Sequence, residues 1–213
     1  MRYSAGLSYA IELPHLDNHK TEDLSPTQLS NLMDSIDADP NIVVGNLMKM
    51  ALFTGLRKGE LFKLKWSDVD FNKGFILVRE PKGGKSQKIP LNQAARKLLT
   101  SHRDQTTYPS SLFIFPGRGG NQRRDCKREL RRIRDRAGLP KDFRPLHGLR
   151  HVYASMLASS GKVDLYTLQK LLTHKSPQMT QRYAHLRDDA LRAADVAGDL
   201  LGEIGKEEQE KTS

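Results

Sequence analysis

The hydrophobic pattern of this 213-residue chain changes its period twice. Over residues 25–56 apolar side chains recur at the spacing of an amphipathic helix. Short runs that favour strands follow, joined by glycine-containing turns typical of hairpins, at residues 66–69, 75–78 and 88–91. Helical spacing returns after Asn92 and continues to residue 204. The pattern therefore predicts an α+β fold that is mainly α-helical, with a small three-stranded antiparallel sheet.

Local signals define the predicted helices more closely. Ser25 is a favourable N-cap, Pro26 suits the first helical position, and Gln28 completes a capping box. A second helix is expected after Pro40 and should end at Gly55. The remaining helices are predicted after Asn92 and over residues 123–136, 146–160, 163–173, 177–183 and 188–204.

These elements are predicted to form one domain. No shift in composition divides residues 25–204, so we expect them to share a hydrophobic core. Residues 1–24 show little periodicity and are predicted to be a linker or N-terminal arm. Residues 205–213 are polar and charged, which favours a flexible tail.

The charge balance and the single cysteine restrict the class of protein. Thirty-five lysines and arginines against 25 acidic residues give a formal net charge of +10, which favours nucleic acid as a partner before an anionic membrane surface. Cys126 alone excludes an intramolecular disulfide framework and favours a reducing compartment. The longest apolar stretch is interrupted by Asn46 and Lys49, so no segment is expected to span a membrane. We therefore predict a soluble, cytoplasmic protein.

The segment 123–136 is the most basic part of the chain, with eight arginines and lysines among three acidic residues. It is predicted to be a helix that follows a nucleic-acid backbone through its phosphates. The alternative is a solvated helix face crossed by ion pairs. The side chains expected to bind DNA are Lys85, Arg123, Arg124, Lys127 and Arg131.

Four separated motifs carry the residues best suited to chemistry. They are T-G-L-R-K-G-E-L at 54–61, P-K-G-G-K-S-Q-K-I-P-L at 81–91, H-G-L-R-H at 147–151 and L-L-T-H-K-S-P-Q-M-T-Q-R-Y-A-H-L at 171–186. Taken singly, they have structural alternatives: an ion pair of Arg57 with Glu60, a hairpin tip, or a tyrosine on an amphipathic helix. A zinc pair in the third motif is disfavoured, because Arg150 would set a positive charge beside the metal.

Taken together and in this order, the motifs resemble the catalytic domain of the tyrosine recombinases, the phage integrase family. The resemblance runs from about residue 24 to residue 186. It implies a site-specific DNA recombinase that cuts and rejoins strands through a 3′-phosphotyrosyl intermediate, without a metal or other cofactor. Tyr183 is then the nucleophile, and His147 is the base that helps a phenol with a pKa near 10 to lose its proton.

The resemblance also implies roles for the basic residues. Arg57 and Arg150 should bind the two non-bridging oxygens of the phosphate, supplying the charge that Mg²⁺ supplies in many nucleases. His174 should donate a hydrogen bond to a phosphate oxygen. Lys82 should protonate the leaving 5′-oxygen, with Lys85 as the alternative. The residues expected to orient this group are Glu60 and His151.

Double-stranded DNA is the implied partner, bound by a homotetramer, with a monomer expected in the absence of DNA. Full-length members of the family carry a further helical domain before the catalytic one. Only about 24 irregular residues precede Ser25, so we expect either a fragment or a short form that binds DNA weakly. Two other functions stay open: DNA relaxation like that of a type IB topoisomerase, and a non-catalytic DNA-binding regulator.

Overall fold

The computed structural model describes residues 24–81 and 84–188. The helices with defined bounds are α1 (Pro26–Asp37), α2 (Ile42–Thr54), α3 (Lys58–Lys63), α4 (Gln93–Gln105), α5 (Lys127–Arg136), α6 (Pro145–Ser159), α7 (Leu165–Leu171) and α8 (Gln178–Gln181). The strands are β1 (Val69–Asp70), β2 (Phe75–Val78) and β3 (Gln87–Pro90). The mainly helical fold with one small sheet is confirmed.

The sheet is antiparallel in the order β1-β2-β3, as predicted. Ile76 pairs with Ile89, and both side chains are buried against the helices. The first predicted strand is largely wrong, because Trp66–Asp68 forms a 3₁₀-helix and strand pairing begins only at Val69. The Asp68 carboxylate accepts a hydrogen bond from the Lys65 N–H at 3.0 Å, which stabilises a turn there instead of a strand.

Helix α2 lies at the centre of the main core and packs against α1, α4 and α6. It is buried along nearly its whole length, because its apolar residues are not confined to one face. The starts of the first two predicted helices are confirmed: Ser25 and Gln28 form the capping box of α1, and Asn41 caps α2. Gly55 ends α2 in the left-handed conformation, with φ 65°.

The basic helix is shorter than predicted. Helix α5 begins at Lys127, not at residue 123. The Arg123 side chain is buried and donates hydrogen bonds to the carbonyl oxygens of Phe115 (3.3 Å) and Pro116 (2.5 Å). Arg123 therefore anchors the irregular segment before α5, a contact that helical periodicity does not predict.

A second, smaller core forms where α6, α7 and the segment after α8 meet. Its buried side chains are Ala154, Ala158, Leu168, Leu172 and Tyr183. Residues 184–188 are helical, and the rest of the helix predicted over 188–204 lies outside the described residues. No helix within 24–81 and 84–188 is both long enough and apolar enough to cross a membrane.

Candidate active site

Hydrogen bonds connect three of the four predicted motifs around one place in the fold. Arg57 lies between α2 and α3, Arg150 lies in α6, and His174 follows α7. Arg57 contacts Thr173, and Arg150 contacts the carbonyl oxygens of Gly55 and Leu172. Lys82, in the remaining motif, lies outside the described residues.

Arg57 is held from two sides. Its Nη1 donates to Glu60 Oε1 (3.1 Å) and to the hydroxyl (2.6 Å) and carbonyl (3.0 Å) oxygens of Thr173. Its backbone N–H donates to Glu60 Oε2 at 2.7 Å. Among the described residues these side-chain bonds all come from Nη1, so the other edge of the guanidinium remains for an anion.

Thr173 is a contributor that sequence reasoning missed. Its hydroxyl accepts from Arg57 and donates to Glu60 Oε1 at 3.1 Å, so it closes a ring of contacts around the ion pair. Its backbone is left-handed, with φ 52°, which is unfavourable for a β-branched residue. No periodicity marks this position; its only signal is that it directly precedes His174 in the fourth motif.

Arg150 is a buried cation, 6% exposed. Its Nη1 donates to Gly55 O at 2.5 Å, and its Nη2 donates to Leu172 O. Burial, followed by the positive charge of Arg57, lowers the pKa of Arg150 to about 10, so it still carries its charge at neutral pH. Arg57 is hydrogen-bonded to Glu60, and Arg150 interacts with the same carboxylate through its charge. Two guanidiniums beside a single carboxylate form a site that favours a bound anion.

His174 lies beside these arginines as a neutral imidazole. Burial and the charges of Arg150 and Arg57 lower its pKa to about 3. Its Nδ1 lies 2.8 Å from the hydroxyl of Thr180, which is buried. When that hydroxyl donates to Nδ1, the imidazole proton is on Nε2, where it can be donated to an anion.

Tyr183 is buried, at 4% exposure, and its hydroxyl contacts a histidine. The partner is His151, whose Nδ1 lies 2.5 Å from the phenol oxygen. His151 Nε2 in turn lies 2.9 Å from His147 Nε2, because positions i and i+4 share a face of α6. His151, expected only to orient its neighbours, therefore stands between the tyrosine and the histidine expected to be its base.

The predicted DNA-binding residues divide into two groups. Lys85, Arg124, Lys127 and Arg131 are exposed, whereas the buried Arg123 has its guanidinium occupied by carbonyl oxygens. A cleft of 460 Å³ runs between α5 and the start of α6 and reaches His147. The basic residues along it are Lys58, Lys127, Arg131, Arg134, Lys141 and Arg144.

Comparison with curated proteins finds tyrosine recombinases. The tyrosine recombinase XerC of Xanthomonas axonopodis pv. citri (strain 306) is 32% identical over 87% of this chain and 61% of its own length. The tyrosine recombinase XerA of Pyrococcus furiosus is 29% identical over 89% of this chain and 67% of its own length. The chain thus spans less than two thirds of the Xanthomonas relative.

Solved structures show the same fold. A crystal structure of XerA recombinase has a TM-score of 0.66 at 26% identity, over 87% of this chain and 66% of that one. A post-cleavage complex of XerH site-specific recombinase with a palindromic difH substrate has a TM-score of 0.67 at 26% identity, over 84% and 53%. The sequence profile of the phage integrase family matches residues 22–190. With three of its four motifs meeting at one site and most of its length matched, the chain belongs to the phage integrase family.

Proposed function

We propose that this chain is the catalytic domain of a site-specific DNA recombinase that cuts and rejoins strands through a 3′-phosphotyrosyl link at Tyr183. The observation that carries this proposal is the meeting of Arg57, Arg150 and His174 in a site suited to an anion, with Tyr183 next to α6. The relative XerH is a site-specific recombinase bound to its difH substrate, which supports DNA as the partner.

The electrostatics of the site suit phosphoryl transfer. A phosphodiester is already anionic, and its transition state gathers charge on the non-bridging oxygens. The guanidiniums of Arg57 and Arg150 are fixed in place before the substrate binds, so they stabilise this charge without reorganising. We assign the Nε2–H of His174 to a phosphate oxygen, since its Nδ1 contacts Thr180.

Attack by Tyr183 forms a bond from its oxygen to phosphorus and breaks the bond from phosphorus to the 5′-oxygen. Because the phenol is buried, we expect the segment after α8 to adjust when DNA binds, so that the phenol oxygen reaches the phosphate while it keeps its contact with His151. The leaving oxygen takes a proton from Lys82, with Lys85 as the alternative donor. A 5′-hydroxyl from another strand later attacks the phosphotyrosyl link and restores the phosphodiester.

The cleft between α5 and α6 supports duplex DNA running past His147, with exposed cations of α5 against its phosphates. We extend the proposal to a homotetramer on the recombination site and a monomer without DNA. The regulator alternative does not account for the contact of Tyr183 with His151, since binding alone requires no positioned phenol. A cytoplasmic location stays a prediction from the single cysteine.

The test uses suicide DNA, which traps the covalent link. A pool of duplexes carries a nick in one strand and randomised base pairs on both sides of it, so cleavage close to the nick releases a short 5′-hydroxyl fragment that diffuses away. We expect a protein–DNA band on a denaturing gel in EDTA for the wild type and for Tyr166→Phe, an exposed control. Tyr183→Phe should give no band. A band that persists in Tyr183→Phe would assign the nucleophile elsewhere.

A second substrate identifies the proton donor. Duplexes recovered from the covalent band are remade with sulfur in place of the leaving 5′-oxygen, because a thiolate leaves without protonation. We expect Lys82→Ala to cleave the oxygen substrate slowly and the sulfur substrate at nearly the wild-type rate. If Lys85→Ala shows this pattern instead, Lys85 is the acid.

A further inference from the structure

His151 bridges two groups that the proposed reaction must connect. Its Nδ1 lies 2.5 Å from the Tyr183 oxygen and its Nε2 lies 2.9 Å from His147 Nε2. The rings of His147 and His151 meet edge to face, with centroids 4.4 Å apart. A proton can therefore pass through His151 by entering at one nitrogen and leaving from the other.

Burial differs along this chain of contacts. Tyr183 and His151 are buried, at 4% and 6% exposure, whereas His147 is exposed. A charge costs less free energy at an exposed imidazole than at a buried one. A proton released at the phenol is thus more stable on His147 than on His151.

We propose that His151 is a catalytic residue that takes the phenolic proton of Tyr183 at Nδ1 while passing its own Nε2 proton to His147. This inference rests on the proposed function, because it needs Tyr183 as the nucleophile. It makes His147 the final acceptor of the proton and His151 the group that touches the reacting atom.

The proton balance closes in both directions. In the resting tautomer the Tyr183 hydroxyl donates to His151 Nδ1, and His151 Nε2–H donates to His147 Nε2. As the phenol oxygen bonds to phosphorus, both protons shift by one position, which leaves His151 neutral and His147 positively charged. The P–O5′ bond breaks, and the leaving oxygen takes its proton from the lysine acid. Rejoining reverses each transfer and restores the phenol.

The surroundings of His151 favour a residue that stays neutral throughout. The groups that act on it electrostatically are His147 and Arg150 on its own helix, Arg144 just before that helix, and Arg182 beside the tyrosine. Burial, then His147 and these arginines, lower the pKa of His151 to about 3. Because a simple base at this position would have to hold a cation, passing the proton on is the lower-energy route.

The test measures single-turnover covalent attachment to the duplexes recovered from the suicide pool. His151→Asn places an amide oxygen near the Nδ1 position, so it can accept a hydrogen bond but not the proton. We expect it to cleave about 100-fold more slowly or worse, with DNA affinity within about twofold of wild type. His185→Asn, at an exposed histidine, is the matched control and should cleave at the wild-type rate.

Chemical rescue separates proton transfer from positioning. His151→Ala leaves space for free imidazole, which should restore the rate at least tenfold, and the rescued rate should rise with pH as imidazole loses its proton. His147→Asn with His151→Asn should lose little more than either single variant, because the two act as one unit. A rescued cleavage rate that rises with pH also shows that His151→Ala is folded.

Three outcomes would overturn the inference: His151→Asn cleaving within about threefold of wild type, His151→Ala gaining nothing from imidazole, or losses that multiply in the double variant. The proposed function fails separately, if the wild type forms no covalent complex with any duplex of the pool. A wild type and a His151→Asn variant that react equally would remove only the role of His151.

Discussion

Arg150 donates a hydrogen bond from Nη1 to the backbone carbonyl oxygen of Gly55, at 2.5 Å. Gly55 is the left-handed residue that ends α2, and Arg57, two positions later, is the N-cap residue of α3. The turn at Gly55 therefore positions both arginines. Arg57 follows it in the chain, and Arg150 donates a hydrogen bond to its carbonyl oxygen. The spacing of the two guanidiniums depends on the conformation of this turn.

Gly55→Ala is expected to destabilise the protein by about 1–3 kcal/mol. The reasons are its φ of 65° and the position of an added Cβ, which would lie 2.5 Å from Tyr153 Cδ1. Gly59→Ala is the control, because its Cβ would meet nothing within 4 Å and alanine favours the helix. Urea unfolding measures both. Equal stability of the two variants would contradict this account of the turn.

Thr173→Val should slow covalent attachment about tenfold while DNA affinity changes little. Valine has nearly the same shape but cannot accept from Arg57 or donate to Glu60, so the guanidinium loses its fixed orientation. Thr173→Ser keeps the hydroxyl and should retain most of the wild-type rate. The measurement is single-turnover cleavage of suicide DNA. A serine variant as slow as the valine variant would show that the hydroxyl is not what matters.

The free energy of unfolding should fall as the pH is lowered from 7 to 5. Burial lowers the pKa of His102, and the pKa values of His151 and His174 lie at about 3. In the unfolded chain these histidines take up protons near pH 6.5, whereas in the folded protein they stay neutral to a lower pH. Their contribution to the free energy of unfolding is therefore complete above about pH 6.5 and is lost as the pH falls below it. Each can contribute a slope of up to about 1.4 kcal/mol per pH unit.

Urea unfolding at several pH values checks this expectation. His151→Asn removes one of the three groups and should show a shallower slope, whereas His185→Asn, at an exposed position, should keep the wild-type slope. Stability that stays constant between pH 7 and 5 would mean that these histidines take up protons in the folded protein as readily as in the unfolded chain.

Arg131→Gln should change the salt dependence of DNA binding, whereas Arg123→Gln should change the stability of the fold. Arg131 is exposed beside the basic cleft, so its loss should reduce the slope of log affinity against log salt by about one for a random-sequence duplex. Arg123 donates to Phe115 and Pro116, so its loss should cost about 1–3 kcal/mol of stability and leave the salt slope unchanged. Fluorescence anisotropy and urea unfolding measure the two. A salt slope that falls only in Arg123→Gln would contradict the assignment.

Much of the fold could be predicted from signals between residues that are close in sequence. The capping box of Ser25 and Gln28 and the stop at Gly55 depend on neighbouring residues only, so they are legible in the sequence and confirmed in the structure. The start of α5 was missed because the Arg123 side chain binds carbonyl oxygens of a preceding loop, a contact that periodicity does not encode. The short helix α3 was missed as well, since six residues are too few to show a period.

The candidate site was predictable as a set of residues but not as a network. The motifs named Arg57, Arg150 and His174, and the fold brings them together. The contact of Tyr183 with His151 was not foreseen, because it joins α6 to a segment more than thirty positions later. Sequence spacing puts His147 and His151 on one face but does not say which of them the phenol reaches.

The most direct test of the central claim is to identify the residue that becomes attached to DNA. The covalent complex formed on suicide DNA is digested with nuclease and trypsin, and the remaining adduct is located by tandem mass spectrometry. The account predicts a nucleotide on the oxygen of Tyr183, next to Arg182. An adduct on any other residue, such as Tyr153 or Tyr166, would contradict it.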